Sequence, residues 1–296
     1  MKRWLIIGSC LLGVGLILFL VGMTLLDWDF SKLDTETELR HTYEVSELFY
    51  DISIETSEAD VEMKLSGDGT CKVVLLESEQ YYHTVSVENE KLTILAINDR
   101  AWFDYLNIAE DDKKIILYLP EGSYGSLQIT GDTGDVEIPG DFTFETLDVK
   151  ISTGDIECSA SVSGSLKLIA STGDITLTDA VCGDIYGKLS TGEMEFINVQ
   201  CRNLKAEGTT GDTILRNTTA EGTLSAERST GDIWLDNCDG GELILKTTTG
   251  DVSGHLRTAK VFVTETRIGD VDVPDSTTGG KCNITTSTGD ITLTIG

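Results

Sequence analysis

The chain has 296 residues, 22 of them basic and 50 acidic, for a formal net charge of −28. So acidic a surface excludes nucleic acid, whose binding rests on neutralising phosphates with Lys and Arg, and electrostatic adhesion of the bulk of the chain to an anionic membrane. No Cys-x-x-Cys, His-rich metal spacing, Gly-x-Ser-x-Gly or His-Glu-x-x-His motif occurs, so motifs imply neither a cofactor nor a reaction.

Lys2 and Arg3 precede an uncharged run from Trp4 to Leu26. About 20 helical residues cross a hydrocarbon core of about 30 Å, and the run reads as one transmembrane helix, with residues 1–26 forming a short cytoplasmic tip and anchor. A cleaved signal peptide would show a small-residue site, and none precedes Asp27. A lipoprotein cysteine at Cys10 would have only about five apolar residues before it. Basic residues favour the cytoplasmic side, which puts the N-terminus inside and the rest of the chain outside the cell membrane.

Residues 27–40 are acidic and aperiodic, a juxtamembrane tether. Residues 41–126 read as an N-terminal β cap, with short strands at Ile52–Ile54, Val61–Met63, Val73–Leu76, Thr84–Val87, Leu92–Leu95 and Ile115–Leu119. Asp99 to Lys114 interrupts that pattern as a loop. Its Trp102, Phe103 and Tyr105 either fold down onto the loop itself or contact a partner.

From residue 127 to 296 a Thr-Gly-Asp corner, or a close variant, recurs. Its glycine falls at Gly134, Gly154, Gly173, Gly192, Gly211, Gly231, Gly250, Gly269 and Gly289, at intervals of 19 or 20 residues. Apolar columns lie two and four residues after the glycine and five and seven before it, so each repeat carries two half-buried strands of period 2. Glycine supplies the positive φ that a sharp corner needs. A second corner six residues later carries Asp179, Asn198, Asn217 and Asn237, residues that form Asx turns. A small-residue column follows: Ser163, Cys182, Cys201, Ala220, Gly240 and Ala259. The expected fold is all-β, a single-chain β-solenoid of about nine rungs. Stacked at about 4.8 Å per rung, these make a rod about 43 Å long.

The strand Ile115 to Pro120 followed by Gly-Asp-Val/Ile repeats resembles the bacterial "putative adhesin" family of extracytoplasmic β-solenoids, which includes LiaG-type proteins encoded near envelope-stress systems. The resemblance covers residues 43 to 296 and implies the architecture. The function attached to it is undefined, because fold does not fix function.

The corner carboxylates form a ladder: Asp135, Asp155, Asp174, Glu193, Asp212, Asp232, Asp251, Asp270 and Asp290. Its expected role is structural, with weak cation binding as the alternative. One carboxylate per rung is thin provision for calcium, which takes six to eight oxygens. Cys182 and Cys201 share one repeat position on adjacent rungs, at a separation that suits a disulfide or two stacked thiols. His41, His83 and His255 stand apart in sequence, and the arginines fall at scattered repeat positions.

The expected function is therefore a non-enzymatic interaction or scaffold module with a protein or cell-envelope partner, in envelope stress or surface adhesion. The rival is a carbohydrate-active β-helix enzyme, whose mark would be a groove with three or more convergent ionisable residues. At the C-terminus the last rung, Thr288 to Gly296, stops without a cap. Either Asp272 to Lys281 folds over the end as a lid, or the end, with Ile291 and Leu293 exposed, is a docking face.

Overall fold

The computed structural model describes residues 2–25, 28, 39–99 and 113–296. Each repeat forms a long strand, the glycine corner, a short strand and the second corner. Ser161–Thr172 runs parallel to Phe142–Thr153 on one side and Val181–Thr191 on the other. Ile175–Thr178 lies parallel between Ile156–Cys158 and Met194–Ile197. Long strands build one sheet, short strands the other, and their inward residues fill the space between. Burial alternates as the period-2 pattern requires: Leu166, Leu168 and Ala170 are buried while Lys167 and Ile169 between them are not. Burying one such leucine stabilises by about 1.5–3 kcal/mol. A lone rung buries too few to offset its ordering entropy, so stacking supplies the core. Where the long-strand column falls to Gly187, the opposite sheet fills the gap: a Cβ there would lie 3.2 Å from the Met194 sulfur and 3.3 Å from the Phe196 ring.

At the second corner Asp179, Asn198, Asn217 and Asn237 all adopt φ between 50 and 55°. Their side chains form a chain of amides: Asn198 donates to Asp179 at 2.7 Å, Asn217 to Asn198 at 3.0 Å, and Asn237 to Asn217 at 2.7 Å.

Both ends depart from sequence order. The last rung is not the end of the stack. Its Lys281–Thr285 lies between Glu242–Lys246 and Val261–Glu265, and its Gly289–Asp290 corner leads into a strand held between Val252–Leu256 and Val271–Asp272. Ile291 and Leu293 are consequently buried, at 0% and 2% exposure, by the neighbouring rung rather than by a lid, which sets aside a docking face built on them. The outermost rung is 260–273. The N-terminal end mirrors this: Ile52–Glu55 and Val61–Glu62 stack directly on the first Gly-Asp rung, and the later segments 91–98 and 114–119 lie outside them. The region read as a cap thus contains two rungs of its own. Antiparallel strands then close it: Tyr81–Glu88 on Lys91–Asn98, Cys71–Leu76 on Lys114–Tyr118, and Leu39–Val45 on Cys71–Glu77. One hydrophobic cluster runs unbroken from Ile52 to Leu293.

Lys2–Leu25 forms a 24-residue α-helix. Among the described residues no helix is long and apolar enough to cross a membrane, so the anchor is a matter for proposal below.

Candidate functional site

The long-strand sheet holds one stacked column whose side chains shrink along the rod. The register runs Tyr124, Phe144, Val162, Cys182, Cys201, Ala220, Gly240. Val162, rather than the expected Ser163, aligns with Cys182, because the strand register shifts between Val162 and Ser165. Each loss of side-chain volume deepens the surface, and a groove of about 600 Å³ opens from Val181 to Lys260. Cys182 and Cys201 lie side by side on its floor, both as free thiols. Burial pushes Cys182 up to about 11 and Cys201 up to about 12, so neither thiolate forms readily near neutrality.

Lys260 closes the distal end of the groove. It is only 4% exposed, and its ammonium donates to Gly240 O at 2.8 Å and Thr258 Oγ1 at 3.0 Å, with Asp239 Oδ1 at 2.5 Å. Burial pushes the Asp239 carboxyl up, but hydrogen bonds from Lys260, Thr258 and the Gly240 amide outweigh it and hold the group below its ordinary range. On the wall, Arg202 donates to both oxygens of Asp184, which with Asn203 draws that carboxyl down to about 2. The groove therefore gathers Arg202, Glu221, Asp239 and Lys260, the convergence named above as the mark of a carbohydrate-active site. Glycoside cleavage pairs a protonated carboxyl with an ionised one; Asp239, held ionised by its hydrogen bonds, suits only the second of these roles.

The corner ladder is a hydrogen-bond ladder. Each carboxylate accepts the backbone N–H of the acidic residue on the next rung, at 2.7–2.9 Å, in the order Asp60, Asp135, Asp155, Asp174, Glu193. It resumes as Asp212, Asp232, Asp251, Asp290, Asp270. The order repeats the inserted last rung and adds Asp60, which sequence reading missed because no glycine precedes it. The ladder is interrupted between Glu193 and Asp212, where the longer side chain makes no such bond. Spending one oxygen of each carboxylate on a backbone donor offsets the like-charge repulsion of the stack. Among the described residues no group of three or more His, Cys, Asp or Glu is placed to hold a metal ion.

Sequence separation concealed a second cluster. Glu77 is 3% exposed and takes His41 Nδ1 at 2.6 Å, the His83 amide at 2.7 Å and His83 Nδ1 at 3.2 Å. His83 Nε2 lies 3.3 Å from Thr56 Oγ1, which is 2.8 Å from the Tyr81 hydroxyl. The acid–imidazole–hydroxyl order resembles a nucleophile relay, but Thr56 and His83 are buried and no substrate reaches them in this conformation. The network's evident task is the corner before Asp60, which has no glycine. There the Tyr81 hydroxyl accepts the amides of Ser57 and Glu58, at 2.9 and 3.1 Å.

Burial pushes the His83 imidazole down, outweighing the Glu77 hydrogen bond. Its folded affinity for a proton is thus below that in the unfolded chain, near 6.5. The stability it contributes is present above about 6.5 and is lost as pH falls from there to the folded value, by at most about 1.4 kcal/mol per pH unit. Urea denaturation at pH 7.5 and 5.5 should show the cap weakening in acid, and His83→Gln should remove that part of the dependence. An unchanged dependence in the variant would discount His83.

Trp102, Phe103 and Tyr105, the expected partner loop, lie outside the described residues. His255 sits far from the other histidines, with Nδ1 3.1 Å from Thr294 Oγ1.

Two-strand rungs, a buried parallel core and a carboxylate–amide ladder define an all-β solenoid. Residues 49–294 match the model of the Toastrack DUF4097 family, and the chain belongs to that family. Similar solved structures include a putative adhesin from Parabacteroides merdae ATCC 43184, at 8% identity and TM-score 0.46 over 86% of this chain and 96% of that one. A putative lipid binding protein from Parabacteroides distasonis ATCC 8503 matches at 17% identity and TM-score 0.43, over 86% and 96%. A putative adhesin from Bacteroides fragilis NCTC 9343 matches at 13% and 0.38, over 87% and 97%. No curated protein matches.

Proposed function

We propose that this protein is an extracytoplasmic, adhesin-like binding module, held at the cell membrane by the Lys2–Leu25 helix, that engages a cell-envelope partner without catalysing a reaction. The observation that carries the reading is the groove over the thinning column. It is open and lined by small side chains, and its buried cation is paired. Such a surface suits recognition better than proton transfer. The anchor is supported by the sequence from Trp4 to Leu26, which carries no charge, and by a 24-residue helix, about 36 Å long at 1.5 Å per residue. The setting in envelope stress or surface adhesion rests on the family resemblance.

The experiment places a photo-crosslinking residue in the full-length chain in cells, at Glu221 in the groove or at the exposed Lys150 on the same sheet. A defined adduct at Glu221 alone, lost when Ala220→Trp fills the groove, is the expected result, with the protein at full length in membranes and open to external protease. Equal labelling at both positions would remove the groove from the reading. A soluble form beginning near Asp27 would remove the anchor. The groove's four ionisable groups keep the carbohydrate-active reading as the alternative. Release of new reducing ends from cell-wall glycan, abolished by Glu221→Gln, would put it first.

A further inference from the structure

The two ends of the stack are closed differently. At the N-terminal end an antiparallel strand covers each sheet, Tyr81–Glu88 in one and Cys71–Glu77 in the other. At the distal end Lys260–Glu265 and Val271–Asp272 are each paired on one side only. Their outer N–H and C=O groups form a bare edge, the kind that invites pairing with another chain. Val261 and Val263 lie on the outer face of the long-strand sheet, in register with Lys281 and Asn283. At the end itself, however, apolar side chains are uncovered: Ile268 at the corner is 65% exposed, and Val271, which continues the inward column of Ile291, is 44% exposed. The connection from Val273 to Gly279, one candidate for a lid, does not cover them. It passes beside Ala259, where a Cβ on Gly279 would lie 1.7 Å from the Ala259 carbonyl oxygen.

We infer that the distal end docks a second copy of this chain, end to end, about a two-fold axis normal to both sheets. The two strands of a rung run in opposite directions, one in each sheet. That axis lays each edge antiparallel against its own copy and so continues both sheets at once. The chain already makes this junction, an antiparallel strand on a parallel stack, at its N-terminal end. Charge fits the same operation. Arg267 stands at the glycine corner of the outermost rung and Asp275 beyond its short strand, toward the opposite corner. Both are exposed, and among the described residues neither has an ion-pair partner. The two-fold axis carries each Arg267 toward Asp275 of the second copy. The contact is the end of a single rung, well under the roughly 800 Å² per partner of a standard interface, so the dimer is weak in dilute solution and favoured where anchoring raises the local concentration.

This inference is independent of the groove. It is tested by sedimentation of the full-length chain in detergent micelles from low to high micromolar concentration, with circular dichroism confirming the fold of each variant. The wild type should show a concentration-dependent dimer. Arg267→Asp and Asp275→Arg should each weaken it at least about tenfold, because each reversal sets like charges together twice per dimer. The double reversal should return to within about threefold of wild type, and Val271→Lys should abolish association. A chain that stays monomeric throughout would overturn the inference. So would a double reversal no better than the singles, or a dimer insensitive to every one of these changes, as association through the N-terminal helix would be.

Discussion

Gly192→Ala should cost the rod about 3 kcal/mol or more, among the largest effects available to one added methyl group. Gly192 has φ of 133°, and a Cβ built on it would lie 1.8 Å from the carbonyl oxygen of Gly173 on the preceding rung. The left-handed conformation alone costs an L-residue about 1–3 kcal/mol. The carbonyl is backbone within a stacked corner, so it yields only if the ladder from Asp174 to Glu193 also shifts. The matched control is Gly67→Ala, where φ is not positive and nothing lies within 4 Å of the added carbon. Urea denaturation followed by circular dichroism should separate the two variants clearly. Equal midpoints would mean that the corners are not set by stacking.

The second large effect sits inside the rod. Arg228 is 4% exposed and occupies an inward column. Its Nε donates to Thr213 Oγ1 at 2.7 Å and Nη2 to Asp212 O at 2.6 Å, while Nη1 has no hydrogen-bond partner. Burial pushes its guanidinium down to about 10, against the pull of Asp212 and Glu193. The neighbouring position is glycine because the guanidinium takes the space: a Cβ on Gly208 would lie 1.9 Å from Nη1. Arg228→Ala leaves a cavity and strips the buried Thr213 hydroxyl of its donor, while Asp212 O keeps the Met194 amide at 3.0 Å. It should lower stability by about 2–4 kcal/mol. Arg228→Met with Thr213→Val refills the volume and removes the buried polar groups together, and should raise stability by about 1–3 kcal/mol. A double variant less stable than wild type would show that the buried guanidinium stabilises the fold on balance.

Much of this rod can be read along one dimension. Corner glycines at a near-constant interval and apolar residues two apart are properties of the chain itself, and they translate directly into corners, strands and inward faces. The αL asparagines of the second corner were legible for the same reason. The polar exception at Thr213 was visible only as a lapse in a column, and Arg228 only as one of several scattered arginines. Their contact across the interior requires knowing that the short strand of one rung faces the long strand of the next. His41 and His83 looked isolated because 42 residues separate them. Antiparallel strands at the N-terminal end bring both onto Glu77.

Sequence alone determined that the chain builds stacked rungs, and where each one turns, because those demands are local: a positive φ, an Asx turn, an alternating face. Which rung lies beside which was decided only in three dimensions. Rungs of the same length and pattern present nearly interchangeable edges, so local preference does not distinguish an end rung from an inner one. The segments joining the rungs at each end are long enough to cross a neighbour. The fold uses that freedom to bury Ile291 and Leu293 and to leave 260–273 outermost. The glycine column has both kinds of cause. Its φ could be expected from the corner, but the carbonyl that excludes a side chain belongs to the rung before it, and its place follows from the stack.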